Sequence, residues 1–119
     1  GPVSKACFEA IALEAKELKE VIVCDLFLEK AEAFAREVEE KYGLKARGTT
    51  DLEAAVRAAD IVSVAASSLK PIYMQDEWLK PGCLIMFTGR CNITEDFYLS
   101  SKVVWDHAPM HEVYFDSFI

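Results

Sequence analysis

An open α/β sheet with mostly parallel strands is the fold class this sequence predicts, and three observations carry the prediction. Residues 21–25, 60–65 and 83–87 are short, almost wholly apolar runs, as expected of strands covered on both faces. Amphipathic helical stretches separate them, and the connections are short. Strands alternating with helices in this way pair in parallel through right-handed crossovers. The length of 119 residues and the 52% hydrophobic content are those of one folded domain with a real core.

Residues 3–18 place Cys7, Phe8, Ile11, Ala15 and Leu18 on one helical face, with Lys5, Glu9, Lys16 and Glu17 mostly opposite. The strand at 21–25 follows. A second helix carries Ala31, Phe34, Ala35, Val38 and Tyr42 on one stripe, and Glu37 and Lys41 form an i,i+4 pair on it. Gly43 is its expected C-cap. Residues 44–47 read as a short edge strand. Thr50-Asp-Leu-Glu53 reads as a capping box, in which the Thr50 hydroxyl opens a short helix running through Ala59. The strand at 60–65 comes next, then a helical turn at 77–79 stopped by Lys80-Pro-Gly82. Strands at 83–87 and 102–105 complete the pattern, without internal repeat or linker.

A net charge of −7 argues against a nucleic-acid or anionic-membrane surface, which needs clustered Lys and Arg. No apolar run approaches the roughly 18 residues of a bilayer span, and no signal peptide opens the chain, so a cytoplasmic protein is expected. Cys7, Cys24, Cys83 and Cys91 have no CxxC spacing and are read as reduced, structural cysteines.

The order of parts at the start of the chain points to a dinucleotide. Gly1-Pro-Val-Ser4 opens the first helix, and Asp25 ends the strand after it, about 24 residues on. A glycine lets backbone amides approach a pyrophosphate, and the helix N-terminus adds partial positive charge. An acid at the strand end accepts hydrogen bonds from ribose hydroxyls and opposes a 2′-phosphate, favouring NAD over NADP. The plainer reading of Asp25 is a cap on the following helix. Ala65-Ala-Ser-Ser68 and Phe87-Thr-Gly-Arg90 follow two other strands on the same edge. Small residues there leave room for a cofactor, and Gly89 permits a turn that brings backbone near a ligand. Pyrophosphate contacts are therefore assigned to Gly1, Val3 and Ser4, the ribose to Asp25, and crevice lining to Ala66, Ser67 and Gly89. The sequence starts where the first strand and first glycine of such a loop should already have passed, so that strand is expected to be missing. Its absence would leave the strands at 21–25 and 60–65 without the neighbour between them.

His107 and His111 stand four apart around Pro109, beside Asp106 and Glu112. Proline disfavours a regular helix through the pair, and no third ligand is evident, so no metal is expected. Trp105, Tyr114, Phe115 and Phe118 make the tail aromatic. Residues 1–106 are read as the dinucleotide-binding domain, and 107–119 as a tail packing on a missing domain.

The segments VIVCDLFLEKAEAFA, LEAAVRAADIVSVAASSLKPI and EWLKPGCLIMFTG resemble the ribose-binding strand, the next helix and the following strands of the ornithine cyclodeaminase and mu-crystallin family. The resemblance covers residues 1–106. It implies a Rossmann-type, doubly wound NAD(P)-binding domain, with Gly1 as the second glycine of the loop and Ser4 at the small position after it. It further implies an NAD-dependent, oxidoreductase-like enzyme moving hydride to or from a carbon that bears an amino or imino group. Imine reduction, amino-acid dehydrogenation and cyclodeamination are the candidate reactions. The implied partners are a small-molecule substrate, a missing N-terminal substrate and dimerisation domain, and a second copy in a homo-oligomer. The family's catalytic Lys is not in this chain, and no residue here reads as a general acid or base. Val3 departs from the Gln often found in the loop. Arg90 departs from an acid that helps the cyclodeaminase handle its substrate amine, which speaks against ornithine deamination. A non-catalytic nucleotide or small-ligand module of the same fold remains the alternative. Outside the family, a methyltransferase also holds a ribose with an acid at this strand end.

Overall fold

Helices and parallel strands alternate along the chain in the computed structural model, which describes residues 1–66, 70, 72–107 and 109. The order is α1 (Pro2–Glu14), β1 (Glu20–Cys24), α2 (Leu28–Tyr42), β2 (Lys45–Thr49), α3 (Leu52–Ala58), β3 (Ile61–Val64), a 3-10 turn (Asp76–Trp78), β4 (Leu84–Phe87) and α4 (Glu95–Ser100). β1 pairs in parallel with β2, from Glu20 opposite Lys45 to Cys24 opposite Thr49. β3 pairs in parallel with β4, from Ile61 opposite Leu84 to Val64 opposite Phe87. Among the described residues these are two separate two-stranded sheets. The architecture is α/β, that of part of a Rossmann-like domain.

α2 is the best-anchored helix. Its stripe of Ala31, Ala35 and Val38 is buried, and Phe34 and Tyr42 are half-buried beside it. Phe8 of α1 meets both rings edge to face, at 6.3 Å from Phe34 and 5.0 Å from Tyr42. Gly43 closes α2 in the left-handed conformation at φ 66°, where a side chain would be strained. Gly48 has a different role. A Cβ there would stand 2.5 Å from the Glu32 amide nitrogen and 2.6 Å from the Ala31 carbonyl carbon, so its bare backbone lets α2 lie close on β2. A second core forms under β3 and β4 from Val56, Val64, Met74 and Cys91. Burial pushes the Cys91 thiol up to about 11 against a weaker opposing backbone hydrogen bond at Met74, so it stays a neutral packing group.

Several expectations are corrected. α1 stops at Glu14, four residues early, in a turn where Lys16 N–H donates to the Glu14 carbonyl and Leu18 N–H to that of Ala15. No proline or glycine breaks the pattern there; the need to enter β1 at Glu20 does. Glu37 pairs with Lys5 of α1 at 2.9 Å rather than with Lys41, whose ammonium lies over the Tyr42 ring. Asp51, not Thr50, caps α3, its carboxylate accepting from Ala54 N–H at 3.0 Å, and the helix ends at Ala58. Residues 102–105 form no strand, because the chain leaves the sheet region through α4. α4 itself was not anticipated. Thr94 caps it by accepting from Phe97 N–H, and Glu95 and Asp96 fill its first turn. No helix among the described residues is long and apolar enough to cross a membrane.

Candidate functional site at the strand ends

Three of the seven assigned residues, Asp25, Ala66 and Gly89, stand just past the C-terminal ends of β1, β3 and β4. Thr88, just past β4, donates its N–H and its hydroxyl to the Val64 carbonyl at 2.9 and 2.8 Å, and Gly89 N–H donates to the same oxygen at 2.8 Å. Three donors on one acceptor lock the loops after β3 and β4 together. Gly89 is in backbone contact with Ala66: a Cβ at position 89 would stand 2.5 Å from the Ala66 oxygen and 2.9 Å from its nitrogen. The close approach that requires a glycine here is chain to chain, and its φ is not positive. Ser67 lies outside the described residues.

α1 starts at this same end. Cys7 Sγ lies 3.7 Å from Thr88 Oγ1, which brings the N-terminal half of α1 to the end of β4. Ser4 lines the same large cleft as Val23 and Cys24. Gly1 is the N-cap, no side chain caps the helix, and nothing lies within 4 Å of the position a Gly1 Cβ would take. The amides of the first turn therefore have no partner inside the helix, and Val3 is exposed there.

Asp25 stands one residue beyond β1 and is half-buried. Its N–H donates to the Thr49 carbonyl at 3.2 Å, extending the ladder by a residue. Its Oδ1 accepts from Phe27 N–H at 3.0 Å, a local turn in front of α2. Part of the capping reading is thus real, although the α2 N-cap residue is Phe27. Nothing among the described residues donates to Oδ2. Cys24 reports the local field. Surrounding protein atoms, then the carboxylates of Asp25 and Asp51, push its thiol pKa up. The end of β1 is a negative corner.

Leu26 and Phe27 are exposed beside this corner, at 80% and 60%, and Lys30 lies over the Phe27 ring. Sequence reasoning missed the apolar rim and also Thr88 and Asp51, which are ordinary residues until topology brings them to one edge. His107 is exposed, and His111 lies outside the described residues, as do Tyr114, Phe115 and Phe118. Arg90 is exposed next to Gly89.

Among the described residues the arrangement offers first-turn amides at one helix start without partners inside the helix, a carboxylate with no donor to Oδ2, and Ala66 and Gly89 in backbone contact past β3 and β4. It presents no nucleophile and base within hydrogen-bond reach of each other among the described residues. A model of the ornithine cyclodeaminase/mu-crystallin family matches residues 1–112. The members of that family are NAD(P)-dependent. No solved structure matches the chain.

Proposed function

Because this chain belongs to the ornithine cyclodeaminase/mu-crystallin family, we propose that it is the NAD(H)-binding part of an oxidoreductase-like enzyme acting on an amino acid or imine. The observation that carries the proposal is Asp25, which stands one residue past the C-terminal end of β1 with Oδ1 accepting from Phe27 N–H and with no described residue donating to Oδ2. A ribose offers two hydroxyl donors, and a carboxylate accepts from both; a half-buried position strengthens those bonds relative to water. The first-turn amides of Val3 and Ser4 meet the pyrophosphate, helped by the partial positive charge of the helix start. Gly1 leaves room for that approach. Ala66 and Gly89 bound the crevice toward the nicotinamide side, and Ser67, outside the described residues, is assigned to the same lining. Leu26 and Phe27 give the adenine an apolar surface.

The cofactor, when bound, supplies the hydride; the residues of this chain bind it and set its orientation. Locking of the two loops through Val64, Thr88 and Gly89 fixes the crevice wall against which the nicotinamide lies. The carbon that exchanges hydride bears an amino or imino group, and the groups that handle its protons come from a substrate domain outside these residues. That domain and a second copy of the protein are the proposed partners. Saturable NADH binding, weakened by Asp25→Ala and followed by nucleotide fluorescence, tests the proposal. No saturable binding in the folded protein contradicts it. A non-catalytic binding module is the second reading, favoured by Arg90 at the position where the cyclodeaminase has an acid.

A further inference from the structure

Arg90 is an exposed residue on a loop that is pinned on both sides. Ahead of it, the Thr88 N–H, the Thr88 hydroxyl and the Gly89 N–H all donate to the Val64 carbonyl. Behind it, Cys91 is fully buried. Asn92 N–H donates to the Ile72 carbonyl at 2.6 Å, and Met74 N–H donates to the Asn92 carbonyl at 3.0 Å. Asn92 and Tyr73 thus form a parallel bridge. Backbone held at 88, 89 and 92, with a buried side chain at 91, leaves little freedom at 90. The Arg90 backbone is fixed three residues past the end of β4.

The charge on this loop has no counter-charge. The protein has 20 Asp and Glu for 13 Lys and Arg, so a cation on its surface readily meets a carboxylate. Arg47 pairs with Glu20, and Arg57 pairs with Glu53 and Glu77. Among the described residues no carboxylate lies within salt-bridge reach of Arg90. Arg36 shares that state, but it is exposed midway along α2, far in sequence from any strand end. At the end of β1, by contrast, Asp25 and Asp51 make a negative corner. The chain therefore carries opposite charges past β1 and past β4.

We infer that Arg90 determines the substrate class: its guanidinium holds a second carboxylate, so the protein acts on an amino or imino acid with an acidic side chain. The inference rests on the nucleotide reading of Asp25 and α1. With the ribose on Asp25 and the pyrophosphate on the first-turn amides, the wall of Ala66 and Gly89 is left to the nicotinamide and the substrate. Arg90 follows that wall by one residue. Because it is exposed, its charge stands out from the wall and meets the far part of a substrate, not the group on the reacting carbon. The planar fork of an arginine takes a carboxylate through two parallel hydrogen bonds, and it repels an ammonium at the same place.

Isothermal titration calorimetry of the full polypeptide with glutamate, glutamine and ornithine tests this. The three ligands end in a carboxylate, an amide and an ammonium. Each is titrated with saturating NADH, the reduced cofactor preventing turnover, and again without nucleotide. Glutamate should bind at least about tenfold tighter than glutamine, the lower end for a charge-assisted bond because Arg90 is exposed. Arg90→Gln should abolish that ratio, Arg90→Lys should restore part of it, and Arg90→Glu should make ornithine the tightest of the three. Equal affinities in wild type, or no binding of any ligand, overturn the inference. An equal loss for all three ligands in Arg90→Gln also overturns it, assigning the guanidinium to the carboxylate they share. NADH binding weakened about tenfold by Arg90→Gln overturns it as well, giving the guanidinium to a nucleotide phosphate. A wild type that binds no NADH yet keeps an Arg90-dependent preference for glutamate sinks the nucleotide reading and sustains the substrate class.

Discussion

Gly89→Ala probes the contact that joins the two loops at the strand ends. The added Cβ would stand 2.5 Å from the Ala66 oxygen, 2.9 Å from the Ala66 nitrogen and 3.1 Å from the Ala65 carbonyl carbon. Contacts of this kind relax to about 3.5 Å, so the loop after β3 must shift by roughly 1 Å. The obstacle is backbone, and the loop after β4 that carries Gly89 is tied to the Val64 carbonyl by three donors, which leaves no flexible side chain to give way. A cost of about 1–3 kcal/mol is expected, as for other overpacked sites. An unfolding entropy of about 2.1 cal/mol/K per residue gives about 0.25 kcal/mol/K for a chain of this length. Each kcal/mol therefore lowers Tm by about 4 °C, for a total of roughly 4–12 °C. Differential scanning calorimetry of wild type, Gly89→Ala and Gly1→Ala measures it, since a Cβ at Gly1 meets nothing within 4 Å. A Gly89→Ala protein that melts with the Gly1→Ala protein refutes the packing argument.

The other predictions concern the α3 cap, alkaline stability and substrate choice. Asp51→Ala should cost about 1 kcal/mol in urea unfolding, and Thr50→Ala only a few tenths, since the Asp51 carboxylate is the group that caps α3. Cys91 has a folded-state pKa of about 11 against an ordinary 9.0, so the unfolded chain loses its proton first as pH rises. Its contribution is complete below about pH 9 and is lost through pH 11; Cys91→Ala should flatten that limb of the stability curve relative to wild type. In a panel of amino acids, 2-oxo acids with amines, and cyclic imines followed by NADH absorbance, ornithine should be a poor substrate. Rapid ammonia release and proline formation from ornithine would show that Arg90 does not carry the meaning given to it.

α2 was legible along its buried stripe and at its C-terminus because the local signals there agreed: a 3.6-residue stripe, polar residues opposite and a glycine where a left-handed cap is required. Four of the five expected strands were legible for the same reason, to within a residue or two. Failures came where a competing interaction decided. α1 has helix-forming residues past Glu14, and only the entry to β1 stops it. Thr50 and Asp51 are both good caps, and Thr49 settles the choice by accepting from Asp51 N–H. The valines of 102–105 have strand propensity but no paired neighbour. Of the proposed site, Asp25 stands out in the sequence because an acid closing an apolar strand is conspicuous. Gly89 reads from the sequence as a turn that brings backbone near a ligand; the group it approaches in the structure is Ala66. The meeting of Cys7 with Thr88 spans 81 residues and has no local signal.

The central claim is that the free oxygen of Asp25 holds a ribose and opposes a 2′-phosphate in the negative corner it shares with Asp51. Titrating NADH and NADPH against one preparation of the wild-type protein, and again against Asp25→Ala, measures that claim directly. The account predicts NADH at least about tenfold tighter in wild type, a difference of about 1.4 kcal/mol, shrinking in the variant. Equal or reversed affinities in wild type, or a preference unchanged by Asp25→Ala, would contradict it and remove Asp25 from the ribose site.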